Sequence, residues 1–92
     1  MKTLEQLTDA IKAAGAVKPR MERNYKRKDH RETLVRAWIP TSKGTSRKAQ
    51  AEALFKRLRA EGFDLTYTSW DYATGEPTAI WVQARVELAD FY

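Results

Sequence analysis

The 92-residue sequence predicts an α+β fold: an antiparallel sheet of about four strands, in chain order α-β-β-α-β-β, with two helices packed on one face. Three observations lead there. Two segments carry apolar residues at three- and four-residue spacing between recognisable start and stop residues. Each is followed by two strand-like segments joined by a turn. The chain is also short: at this length it buries roughly 60–65% of its unfolded surface, enough for one modest core. Residues 1–92 are therefore expected to form a single domain.

The first helix is expected over Thr3 to Ala14. Leu4, Leu7, Ile11 and Ala14 lie on one stripe, and Thr3 and Gln6 have the spacing of a capping box. Gly15 can stop the helix in a left-handed conformation, and Pro19 blocks its resumption. Residues 20–28 and 31–39 then read as two strands. A turn at Asp29-His30 would pair Tyr25 with Leu34 and Met21 with Trp38, all on one face, and would set Arg23 across from Arg36. That like-charge pair costs a few tenths of a kcal/mol or more. Bound anion would relieve it, and so would splaying of both side chains into water. After a polar loop, PTSKGTS, Ser46 or Thr45 caps a second helix that runs to about Glu61 and stops at Gly62. Its buried stripe is Ala51, Leu54, Phe55 and Leu58. Residues 63–72 and 78–88 form a second hairpin around Thr74-Gly75. Phe63, Leu65 and Tyr67 are expected to share the core face with Ile80, Val82, Ala84, Val86 and Leu88. A two- or four-residue loop would send Trp70 and Trp81 to the other face, and a glycine bulge would change that.

Charge is distributed unevenly along the chain. The net charge is +5, but residues 18–36 hold eight Lys/Arg against three Asp/Glu, and residues 64–92 hold one arginine against five carboxylates. Such an imbalance speaks to partners and association rates. With no cysteine, disulfides and thiolate metal sites are excluded. No apolar stretch is long enough to span a membrane. Met1 leads into an amphipathic segment and not a secretion leader, so the expected location is the cytoplasm of a bacterial host cell.

Little in the sequence points to catalysis. His30 stands alone in a turn, and Asp29 and Glu32 beside it suit ordinary surface groups. No residue spacing suggests a metal site or a cofactor. TSKGTS lacks the second glycine of a phosphate loop. It reads either as a plain capped loop or as an anion site at a helix start, with Lys43, Arg47 and Lys48 around it. The scattered Asp64, Asp71, Glu76, Glu87 and Asp90 suit a solvated face, or a phosphate-like face for a basic partner. Trp38, Trp70, Trp81, Tyr25, Tyr67 and Tyr72 suit the core, or contact anchors if exposed. The strongest signal is the basic stripe of Lys18, Arg20, Arg23, Lys26, Arg27, Lys28 and Arg31, with Arg36 across the hairpin. Six phosphate contacts from such a stripe would cost about three orders of magnitude in affinity between low and moderate salt.

The segments AIKAAGAVKPR, ERNYKRKDHRETLVRAWIP and SRKAQAEALFKRLRAEG together resemble a small phage anti-CRISPR protein of the type I-F inhibiting group. The resemblance implies a non-enzymatic inhibitor that binds the crRNA-guided surveillance complex. It would sit near the guide RNA and backbone subunits and sterically block target DNA binding. The positive charge argues against acidic DNA mimicry by the molecule as a whole. Contact residues follow from the charge pattern alone: Arg20, Arg23, Lys26, Arg27, Lys28, Arg31 and Arg36 first, then Lys43, Arg47 and Lys48. The alternative is a free nucleic-acid-binding domain such as a phage regulator. Helix two offers Gln50 as its only amide, so base reading in a groove is weakly supported.

Overall fold

A computed structural model of the chain describes residues 1–40, 46–71 and 78–88. The elements are α1 (Leu4–Ala13), β1 (Val17–Lys26), β2 (Arg31–Ile39), α2 (Arg47–Ala60), β3 (Asp64–Asp71) and β4 (Thr78–Val86). The strands form one antiparallel sheet in the spatial order β1-β2-β4-β3, so the expected α+β architecture is present.

Both helices begin and end as their local residues dictate. The Thr3 hydroxyl accepts from the Gln6 N–H at 3.0 Å, and Gln6 Oε1 accepts from the Thr3 N–H at 2.8 Å, closing the capping box. Ser46 accepts from the Ala49 N–H at 3.0 Å at the start of α2. At the far ends, Gly15 and Gly62 have φ of 103° and 94°, values that a side chain would strain. The next residue then closes a wide turn in each case: the Ala16 N–H donates to Ile11 O and the Phe63 N–H to Leu58 O.

Leu4, Leu7 and Ile11 of α1 and Ala51, Leu54, Phe55 and Leu58 of α2 are buried against one face of the sheet. That face supplies Val35, Ala37 and Ile39 from β2 and Ile80, Val82, Ala84 and Val86 from β4. The strict alternation of buried and half-buried residues along β2 and β4 follows from the two-residue period of a strand with one covered face. The start of α1 is tied to the end of β4, where the Glu87 N–H donates to Lys2 O at 2.9 Å.

Two expectations about register are corrected. In the first hairpin the loop is Arg27 to His30, not Asp29-His30 alone, and Lys26 pairs with Arg31. The Arg27 N–H donates to His30 O at 2.8 Å. Tyr25 therefore faces Glu32, Arg23 faces Leu34, and the arginine opposite Arg36 is Arg20. Irregularities between Met21 and Arg23 and between Val17 and Arg20 shift the register again. Met21 consequently pairs with Val35 and leaves the face that holds Tyr25, Leu34 and Trp38. In the second hairpin a shift between Leu65 and Tyr67 turns Tyr67 outward, 51% exposed, instead of into the core. The same shift packs Trp70 against the core, while Trp81 faces outward. The expected Thr74-Gly75 turn lies outside the described residues. Among the described residues no helix is long and apolar enough to cross a membrane.

Candidate nucleic-acid interface

Among the described residues both helices lie on one side of the sheet, and no element is layered over its other face. Alternation places Glu32, Leu34, Arg36 and Trp38 of β2 and Ala79, Trp81, Gln83 and Arg85 of β4 there. β1 adds Val17, Arg20, Arg23 and Tyr25 opposite the outward positions of β2, and β3 adds Asp64, Tyr67, Ser69 and Asp71 opposite those of β4. A middle that sets Leu34, Trp38, Ala79 and Trp81 among Glu32, Arg36, Gln83 and Arg85 is thus flanked by Arg20 and Arg23 on the β1 side and by Asp64 and Asp71 on the β3 side.

Ion pairs hold part of this face in place. Arg36 Nε lies 2.9 Å from Glu22 Oε1, and its guanidinium sits 5.0 Å from the centre of the Trp38 ring. The Arg20–Arg36 repulsion expected for facing arginines is offset by Glu22, a residue that the bulged stretch of β1 brings beside Arg36. Arg85 bonds Asp64 at 3.1 Å across β4 and β3. Arg27 Nε donates to Glu32 Oε1 at 3.0 Å, and Gln83 Nε2 donates to Glu32 Oε2 at 2.9 Å. Arg20 and Arg23 have no carboxylate partner among the described residues; Arg23 reaches only the Tyr25 hydroxyl, at 3.5 Å.

The hairpin tip gathers Arg27, Asp29, His30 and Glu32. The hydrogen bond from Arg27 holds the Glu32 carboxyl below the usual carboxylate range, helped by Gln83 and His30. Asp29 is likewise lowered, chiefly by its 2.7 Å hydrogen bond with His30 Nδ1. A depressed carboxylate stabilises the fold above its unfolded pKa, and that contribution disappears as pH falls through the folded value. Stability should thus hold near neutrality and decline below about pH 4.5. Glu32→Gln should remove part of that dependence. Urea melts between pH 6 and pH 3 check this: the gap between the parent and the variant should narrow as pH falls, and a constant gap would refute the assignment.

The sequence-predicted contacts separate into groups. Arg20, Arg23 and Arg36 are brought together on the open face. Arg27 and Lys28 lie in the exposed hairpin loop. Lys26 is exposed but alternates to the helix side of β1. Arg31 is turned inward enough for its Nε to donate to Leu88 O at 3.0 Å. Arg47 and Lys48 stand in the first turn of α2, in the helix layer and not on the open face. Lys43 lies outside the described residues, so the anion site imagined around it is not described. The expected contact set does not include Leu34, Trp81, Tyr67 and Gln83, although the sequence also reads Trp81 and Tyr67 as contact anchors if exposed. Alternation alone could have put Leu34 and Gln83 opposite the core, but only the β2–β4 pairing makes them neighbours.

Two depressions open on this face. One, of about 500 Å³, is lined by Arg23, Leu34, Tyr67, Ser69, Trp81 and Gln83. The other, of about 400 Å³, is lined by Val17, Lys18, Arg20 and Trp38. Among the described residues no three His, Cys, Asp or Glu side chains cluster as metal ligands would. No family model matches the chain, and comparison with curated proteins and with solved structures found no match.

Proposed function

We propose that this chain is a binding protein, acting without turnover, that docks its open sheet face and basic hairpin on RNA displayed by a ribonucleoprotein. The observation that carries this reading is the polarity of the open face. Arg20 and Arg23 stand on β1 without carboxylate partners among the described residues, and Arg27 and Lys28 carry the cationic line into the exposed hairpin loop. Such a line suits a phosphate backbone and steers its approach.

The resemblance to small phage inhibitors of type I-F systems supplies the partner. On this reading the protein seats itself on the backbone subunits of the crRNA-guided surveillance complex, next to the guide RNA, and sterically blocks target DNA binding. The aromatic residues on the open face favour a second reading, a free single-stranded nucleic-acid-binding domain such as a phage regulator.

A pull-down from lysate with tagged protein, with and without nuclease, separates the two. Recovery of surveillance-complex subunits in fixed proportion after nuclease treatment is the result expected of the inhibitor. Bulk nucleic acid, lost on nuclease treatment with no accompanying protein, would refute the inhibitor and promote the regulator.

A further inference from the structure

We infer that the open face holds two consecutive nucleotides of a single strand, with one base on Trp81 and the next on Trp38. This deepens the proposed RNA docking and rests on it. Trp81 pairs with Arg36, and Trp38 pairs with Ala79, two residues away on each strand. The two indoles are therefore diagonal neighbours on adjacent strands, with backbone positions about 7–8 Å apart. One stretched sugar–phosphate unit can span such a gap.

Each indole borders its own depression. Trp81 shares one with Leu34 and Tyr67, an apolar floor with an exposed ring at its side. Trp38 shares the other with Val17 and the stem of Lys18. The Arg36 guanidinium lies over the Trp38 ring, 5.0 Å from its centre, and its own plane can share in stacking a base there. Each depression also carries one of the two arginines that lack a carboxylate: Arg23 in the first and Arg20 in the second. Both arginines lie on β1, at the same edge of the face. Bases would lie over β2 and β4, and phosphates would run along β1, away from Asp64 and Asp71 on β3. Charge complementarity thus selects an anionic ligand that carries flat rings. Stacking is indifferent to base identity, so the site should be sequence-tolerant.

The third tryptophan makes the test internal. Trp70 packs against the core on the opposite face. Nitrogen-15-labelled protein shows one indole N–H signal for each tryptophan, assigned by Trp→Phe variants. Titration with millimolar pentauridylate, and in parallel with pentathymidylate, is expected to shift the signals of Trp38 and Trp81 and leave that of Trp70 in place. Either oligonucleotide doing so upholds the site, and the tighter of the two identifies RNA or DNA as its source. Trp81→Ala should weaken the tighter complex about 10- to 100-fold, whereas Trp81→Phe should largely retain it. Shifts confined to backbone amides of the basic hairpin, with all three indoles unmoved, would overturn the two-base site while leaving phosphate docking intact. No shift anywhere at millimolar ligand would overturn both.

Discussion

Ile80→Ala is expected to destabilise the protein by about 2–5 kcal/mol. Ile80 lies on β4, one of the two inner strands, and is fully buried beneath the helices. Removing its three outer carbons loses their transfer energy and leaves a cavity that its sheet neighbours Ala37, Val35 and Val82, all fully buried, can close only in part. A domain of this length has a total stability of roughly 5–14 kcal/mol. The substitution should therefore lower Tm by roughly 8–40 °C, at 4–8 °C for each kcal/mol. Leu34→Ala is the matched control. Leu34 stands on β2 but faces outward and is only half-buried, so its melting point should fall by a few degrees at most. Equal losses for the two variants would mean that the helices cover the other face of the sheet.

The second large effect concerns binding. If the protein docks as proposed, Arg20→Ala with Arg23→Ala should weaken binding of the ribonucleoprotein, or of a single-stranded probe, by about 1.5–3 kcal/mol for each charged hydrogen bond lost. It should also flatten the dependence of log affinity on log salt by about 1.4, which is 0.7 for each phosphate contact removed. Folding should be unaffected, because both side chains are exposed and neither holds a carboxylate. Lys56→Ala with Arg59→Ala removes the same charge from an exposed part of α2 and should change neither quantity beyond a small field effect. If the helix variant weakened binding as much as the β1 variant, net charge and not the open face would be responsible.

The helices were legible from sequence because everything that specifies them is local. The stripes of α1 and α2, the Thr3–Gln6 box, Ser46 and the two glycines each act within a few residues. Strand order along the chain was legible for the same reason. Register in the outer strands was not. β1 is so highly charged that no apolar alternation marks its inward positions, and a four-residue loop at Arg27 to His30 displaced the pairing. Tyr67 was misplaced because nothing in DLTYTSWD marks the irregularity after Leu65; alternation was extrapolated straight through it. The cations of the site were visible as composition. The aromatic residues were visible as candidate anchors, but their grouping into one floor was not, because it depends on β2 meeting β4, whose nearest paired residues, Ile39 and Thr78, are 39 positions apart in the chain.

The irregularities in β1 and β3 have a further consequence, for self-association. Among the described residues these two strands stand at the ends of the sheet order, with no strand beyond them. An unbroken edge of that kind is a template on which another chain can add a strand, and repeated addition leads to fibres. Here β1 is broken twice, contains Pro19 and holds Lys18 at φ 54°, while β3 is broken after Leu65. Neither edge offers an incoming strand a long, even ladder. The regular pairing is confined to β2 and β4, where both edges of the ladder are already taken. The protein can thus expose a sheet face rich in tryptophan and tyrosine while its outer strands discourage growth of the sheet sideways.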